Sequence, residues 1–581
     1  MTLRLIAPGR PALLGTGRLD LTTAVTPSLG IGSPTTLTLS DFKTFTVGVQ
    51  PIVQRAAGQT YANLTVPFTF TGPAPADVQA RVISSSNGTV IAPWASLTGV
   101  VISGLTGSGV LTPVPQGTNY LLQIRDGLNP TNSATISNGV TPFGVGVIFL
   151  FEGQSNMVLL LGGNYTDPVP GSSLNEWAYY NSLVGTGTPG AVFDAYGWHA
   201  DGGSGASFNT GPFGGSSAFA ATANVPMFMR MVATALQAKY GKSIPVGIIP
   251  WAFNATGIGA FLPSNTAQLA GNSGVAGGSI GLKSSTDYFC GDFEGFLWHQ
   301  GEADAGVSPA TYATELQSLY QGFLTLLAPF GRGPADFYFG VDILGNYGPA
   351  DEPSIETIRQ GEMTFIAGAR AGTLSGQASI WSNVDCGCNC IDLTTQSGLH
   401  LATDAAIRTG MRRMIQGVLK FLGASTNGPS GLPFGARGPV LNPVYSRNGL
   451  VVTFSVIHEG GTALTVPTPA NPPTGFYANT AADFSGTYIT PTVALVNSDT
   501  QIQLTFPTGT AFPVYVKYMG GRIGETSVYT SSLGVSYTPS CNPDFSNAIY
   551  DNVVYPSYAT GSDIEALSMP MQPTNGAITV S

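Results

Sequence analysis

Along the first 140 positions apolar and polar residues follow a two-residue period, and near residue 143 the rhythm changes. Ala62, Leu64, Val66 and Phe68 fall on alternate positions, the period of a strand with one buried face. Other strand-sized pieces (44–49, 78–84, 98–102 and 120–124) are separated by turn residues. The pattern predicts a β-sandwich of immunoglobulin type over 42–142, preceded by an N-terminal arm or small β unit over 1–41. As a flanking unit the sandwich fits a spacer better than a substrate-binding surface.

From 143 to 424 the apolar runs alternate with helical patterns. Residues 145–151 are apolar throughout, as in a central parallel strand, and 244–249, 293–298, 337–344 and 378–384 repeat the signal. Between them 227–240, 309–327, 354–369 and 405–422 place apolar residues three and four apart, as at Ile407, Met411, Met414 and Val418. Thr403 and Asp404 form a helix start. This order predicts an α/β/α, doubly wound domain, whose ligands sit outside the carboxyl ends of the strands. A Gly/Pro-rich linker over 425–437 then leads to strands at 450–457, 488–495, 501–506 and 514–518, a second β-sandwich over 438–581. Within it, His458-Glu459-Gly460-Gly461 reads as a hairpin turn. At 581 residues the chain is thus expected to be multidomain.

Composition narrows the function classes. With 9% charged residues, a formal charge of -10 and a pI near 4.8, no basic stripe exists to neutralise phosphates, which argues against nucleic acid as a partner. Uncharged polar surface and 10% aromatic residues suit glycans, which are gripped by hydrogen bonds and ring faces. No segment approaches the roughly 20 apolar residues of a bilayer span, so membrane insertion is not expected. Residues 1–16 carry Arg4 and Arg10 but no continuous apolar stretch of a secretory signal. Low charge, β-richness and no visible signal predict an extracellular or virion-associated protein. A phage tail spike or fibre fits, with further copies of itself or other virion proteins as partners.

Five cysteines cannot all pair within the chain. Cys386, Cys388 and Cys390 alternate, which would put three sulfurs on one face of a strand, within reach of a metal or of Cys290. That spacing is not a standard zinc pattern, so a local disulfide or buried thiols are expected rather than a metal.

Three polar clusters follow predicted strands. Gly153-Gln154-Ser155-Asn156-Met157 places a serine at the end of the run 145–151, where a sharp turn presents a nucleophile and a backbone N–H faces a developing oxyanion. Gln154 and Asn156 beside it, and Trp298 at the end of the strand signal 293–298, are candidate substrate contacts. Trp298-His299-Gln300-Gly301-Glu302-Ala303-Asp304 offers an amide donor in Gln300 and two carboxylates. Ser397-Gly398-Leu399-His400 precedes the last core helix. An activated serine needs a base with a pKa near neutrality, and of His199, His299, His400 and His458, position after the last strand favours His400 over His299.

In this order the three clusters resemble the sialate O-acetylesterase and acetylxylan esterase branch of the SGNH hydrolases, over about 143–423. The resemblance implies a flavodoxin-like SGNH domain, removal of O-acetyl groups from a glycan such as a bacterial surface polysaccharide, and no cofactor. It makes Ser155 the nucleophile and His400 the base. The family's glycine-rich block stands here as Asn254-Ala255-Thr256, which implies an oxyanion hole from the backbone N–H groups of Ser155 and Ala255, assisted by Gln300. The family's DxxH aspartate is replaced by Ser397. Some members use the WHQGE glutamate as the acid, so Glu302 is the expected acid, with Asp392 and Asp404 as alternatives. A non-enzymatic glycan-binding spike on a degenerate form of the same fold is the competing expectation.

Overall fold

A computed structural model describes residues 36–39, 52–128, 137–138, 142–162, 178–184, 195–200, 224–252, 256–262, 292–345, 352–370, 378–382, 404–424, 438–458, 461–518, 529–530, 536–537, 547–552 and 570–581. The predicted strand at 44–49, most of the arm, the linker, the turn at 459–460 and all five cysteines lie outside these residues.

The N-terminal alternation becomes strands β1 (Thr36–Leu39), β2 (Ile52–Gln54), β3 (Tyr61–Thr71), β4 (Val78–Ser84), β5 (Val90–Ser96), β6 (Thr98–Ser103), β7 (Thr106–Pro115), β8 (Gly117–Asp126) and β9 (Ser137–Asn138). One sheet runs β1-β3-β7-β6; in the other, β4 lies between β5 and β8. The alternate apolar residues meet in one buried cluster, where Leu64, Val66 and Phe68 share a core with Ala80, Val82, Leu122 and Ile124. β1 falls inside the expected arm yet pairs antiparallel with β3, so the end of that segment belongs to the sheet.

The apolar run becomes β10 (Phe143–Gly153), buried along its whole length. It serves two neighbourhoods. Its first residues, 143–146, pair with β8 and with β2, whereas Val147 to Gly153 pair in parallel with β13 (Val246–Ala252), which follows the hairpin of β11 (Ala178–Val184) and β12 (Ala195–Ala200). Phe149 to Gly153 also pair in parallel with β14 (Gly295–His299), beyond which come β15 (Tyr338–Ile343) and β16 (Ala378–Ser382). The expected boundary between 142 and 143 therefore falls at the start of a strand that both regions use.

The sheet order is β12-β11-β13-β10-β14-β15-β16, parallel except for β12. Set aside the β11–β12 hairpin, which adds an edge within the Gly-rich stretch around His199, and the five remaining strands stand in the order 2-1-3-4-5 of a flavodoxin-like sheet. Helices α1 (Ser155–Gly162), α2 (Asn224–Tyr240), α3 (Pro309–Leu327), α4 (Glu352–Arg370) and α5 (Asp404–Phe421) cover it. Side chains of β10 alternate between the layers: Phe149 and Phe151 meet Phe228 of α2, while Ile148 and Leu150 join the core built with α3 and α4.

At the amino ends of the strands a buried ionic network joins the first region to the α/β body. Arg55, just after β2, pairs with Glu294, just before β14, and Gln54 donates to the same carboxylate at 2.6 Å. Arg332 pairs with Asp292 and donates to the Arg55 carbonyl at 2.7 Å. Burial pushes the Asp292 carboxyl up to about 6, against the pull of Arg332. The C-terminal strands share a separate buried core, and Lys517 there pairs with Glu356 on α4. Among the described residues, no helix is long and apolar enough to cross a membrane.

Candidate active site

The 2-1-3-4-5 order reverses direction at β10, and ligands of such sheets bind at the carboxyl ends of the strands beside that reversal. β10 and β14 end there together, with Gly153 paired to His299. A Cβ on Gly153 would lie 1.9 Å from the His299 carbonyl oxygen, so glycine is what lets the two strand ends approach. The next N–H, of Gln154, donates to that carbonyl at 3.2 Å, and Ser155 opens α1. Backbone N–H groups at a helix start lack intrahelical acceptors and favour negative charge, which suits an oxyanion.

Ser155 is partly exposed, whereas Gln154 and Asn156 are buried. Both buried amides turn to one carboxylate: Gln154 Nε2 donates to Glu302 Oε2 and Asn156 Nδ2 to Glu302 Oε1. Gln154 Oε1 accepts from the Ala303 N–H at 3.1 Å. Gln300 ties in the third loop, donating to Asp304 Oδ2 at 2.6 Å and to the Thr256 carbonyl at 3.2 Å, while Asp304 Oδ2 accepts from the Ile258 N–H at 2.7 Å. Tyr312 of α3 closes the platform, its hydroxyl 2.6 Å from the Gln300 carbonyl oxygen and 2.9 Å from its Oε1. The loops after β10, β13 and β14 are thereby fixed to one another, with Ser155 at the edge that solvent reaches.

Burial corrects four expectations. Trp298 is 0% exposed, edge-on to Phe261 and stacked on Phe296 in the core, so it does not line a substrate surface. Gln154 and Asn156 are likewise out of a substrate's reach, because their amides are directed inward to Glu302. Gln300, also 0% exposed, has both amide hydrogens engaged within the platform, so it is not an oxyanion donor. Glu302 lies next to both neighbours of Ser155. His400, Ala255, Asp392 and Ser397 lie outside the described residues, and of Asp404 the backbone at the start of α5 is described.

His299, a candidate base by sequence, is buried with Nδ1 on Asp342 and Nε2 3.5 Å from Glu302 Oε1. Burial opposes its charge, but Asp342 and Glu302 outweigh burial and push its pKa up to about 10. An imidazole already protonated at neutral pH cannot take a proton from serine. Sequence reasoning passed over Asp342 and Tyr312; a carboxylate inside the apolar run 337–344 was the available signal, since a buried charge needs a partner. Among the described residues, no cluster of side chains suited to a metal occurs.

No protein-family model matches the sequence, and no curated protein matches it. Among solved structures, a carbohydrate acetylesterase from Xanthomonas citri superposes with a TM-score of 0.53 at 16% identity, covering 91% of this chain and 98% of its own. The chain shares the fold of that structure. Two further structures are more distant: a carbohydrate acetylesterase from Sinorhizobium meliloti (TM-score 0.24, 13% identity, covering 47% of this chain and 98% of its own) and a family two carbohydrate esterase from Clostridium thermocellum (TM-score 0.24, 11% identity, 64% and 94%). At 91% of the chain, the first superposition takes in flanking β regions as well as the α/β body.

Proposed function

We propose that the protein is a carbohydrate O-acetylesterase of SGNH type, an α/β body between two β-sandwich units, acting on an O-acetylated glycan. The observation that carries the reading is a partly exposed serine at the start of a helix, at the switch point of a doubly wound sheet, with a buried platform fixing both its neighbours. Ser155 Oγ attacks the acetyl carbonyl, and His400 takes its proton and returns it to the departing sugar hydroxyl. Water then hydrolyses the acetyl-enzyme. The backbone N–H groups of Ser155 and Ala255 hold the oxyanion, each such donor being worth about 3 to 4 kcal/mol. Glu302 is the proposed acid, with Asp392 and Asp404 as alternatives. A bacterial surface polysaccharide as substrate, and attachment to a virion, are proposed from the low charge and β-richness of the chain and from the β regions that flank the α/β body.

Acetate release from 4-nitrophenyl acetate and from O-acetylated polysaccharides tests this. Ser155→Ala and His400→Ala should each lower kcat by about 10⁴-fold or more. Wild-type protein that releases no acetate from any of these substrates, and whose Ser155 does not label with a fluorophosphonate, would replace the reading with a glycan-binding platform.

A further inference from the structure

The proposed chemistry uses Glu302 but not the ion pair behind it. Asp342, on β15, holds His299 Nδ1, and the other ring nitrogen faces Glu302 across 3.5 Å, with all three side chains buried. We propose that His299, kept cationic by Asp342, is a positioning residue whose charge holds Glu302 as a carboxylate and so fixes the turn that carries Ser155. The inference rests on the esterase reading of Ser155.

Acceptor arithmetic supplies the reason. An ionised carboxylate only accepts hydrogen bonds, so Glu302 receives Gln154 through one oxygen and Asn156 through the other. A protonated Glu302 would turn one oxygen into an O–H donor facing an amide N–H. One of the two residues flanking Ser155 would lose its anchor, and the backbone at the nucleophile would lose its fixed direction. Burial alone drives a carboxyl toward that neutral form. An opposite charge within 4–6 Å resists it, typically lowering a carboxyl pKa by about 1–3, and His299 is placed to supply that charge.

The surroundings leave the cation this task. Glu362 of α4 also faces the cluster, but burial holds its pKa well above the usual carboxylate range, and it accepts the Leu344 N–H at 3.2 Å. Arg359 of α4 is directed to the carbonyls of Leu344 and Gly345. Tyr312 and Asp304 adjoin Glu302 from α3 and from its own loop, and both serve Gln300. Asp342, His299 and Glu302 thus form a line running from β15 to the Ser155 turn, and the charge at its centre reaches that turn through Glu302.

The test is the pH profile of kcat/KM for His299→Gln and Asp342→Asn. The first substitution retains a donor without the charge, and the second removes the carboxylate that stabilises the imidazolium. Both variants should therefore move the acid limb up by about one pH unit or more and lower kcat more than they raise KM. The double variant should shift it no further than either single one. A purely structural role would lower the melting temperature and leave the limb where it is in wild type, and that result in either folded variant overturns the proposal. If the wild type proves inactive, the esterase reading fails separately. The charge relay is then judged by ¹⁵N NMR of the imidazoles, assigned with the His299→Gln spectrum. A His299 ring doubly protonated at pH 8 is expected; a neutral ring at pH 8 overturns it.

Discussion

Ser155 stands between two buried amides, and the division of labour at those three positions decides how the site behaves. Ser155 is partly exposed, while the neighbours face inward to a carboxylate whose counter-charge is His299. That counter-charge has a stability signature. The folded pKa of His299, about 10, lies above the ordinary value of 6.5, so the folded protein holds this proton more tightly than the unfolded chain. The stabilisation is fully present below about pH 6.5 and is lost as pH rises through 10. Denaturation midpoints should therefore fall between pH 7 and 10 in wild type and fall less steeply in His299→Gln; equal slopes would remove His299 as the source. At this scale the sequence disclosed which residues gather but not which way they face. Gln154, Asn156 and Trp298 looked like substrate contacts, and Gln300 like an oxyanion donor, because polar and aromatic residues near a nucleophile read that way, whereas the hydrogen bonding of the three amides to Glu302 and Asp304 is a property of three loops brought together in space.

Among the elements, α3 does more than cover the sheet. Ser308 caps it, accepting from the Thr311 N–H at 3.2 Å, and one turn in, Tyr312 supplies the hydroxyl that holds both oxygens of Gln300. Tyr312→Phe would leave those oxygens buried and short of a donor, at about 1–3 kcal/mol. Expect a lower unfolding free energy together with a reduced kcat for acetyl esters; a change in stability alone would confine Tyr312 to the core. The elements themselves were largely legible. Continuous apolar runs at 145–151 and 293–298 gave the buried parallel strands, and the three- and four-residue spacing of 309–327 gave α3 to the residue. β2 was not legible, because three residues are too few to carry a period and its partner on β10 lies some ninety residues along the chain. Nor was the β11–β12 hairpin, whose glycine-rich setting reads as loop.

Over the whole molecule, the first β region and the α/β body are held as one piece at the end of the sheet away from Ser155. Arg55→Ala would remove the nearest counter-charge of buried Glu294, leaving it Gln54 and, at 3.5 Å, Arg332, at a cost of about 1–3 kcal/mol. Guanidinium unfolding should show that loss as a single transition at lower denaturant, with kcat of the folded enzyme unchanged. Two separated transitions would mean that the regions unfold independently. The covalent expression of the same union is β10, whose first four residues complete one sheet and whose last seven complete another. A shared strand has a consequence for descent. Genetic exchange that cut the chain at residue 142 would hand the recipient a parallel sheet whose central strand begins against the wrong neighbours, and would separate Arg55 from Glu294. On this architecture the first β region is expected to be inherited together with the α/β body, as an organ and not as an attachment.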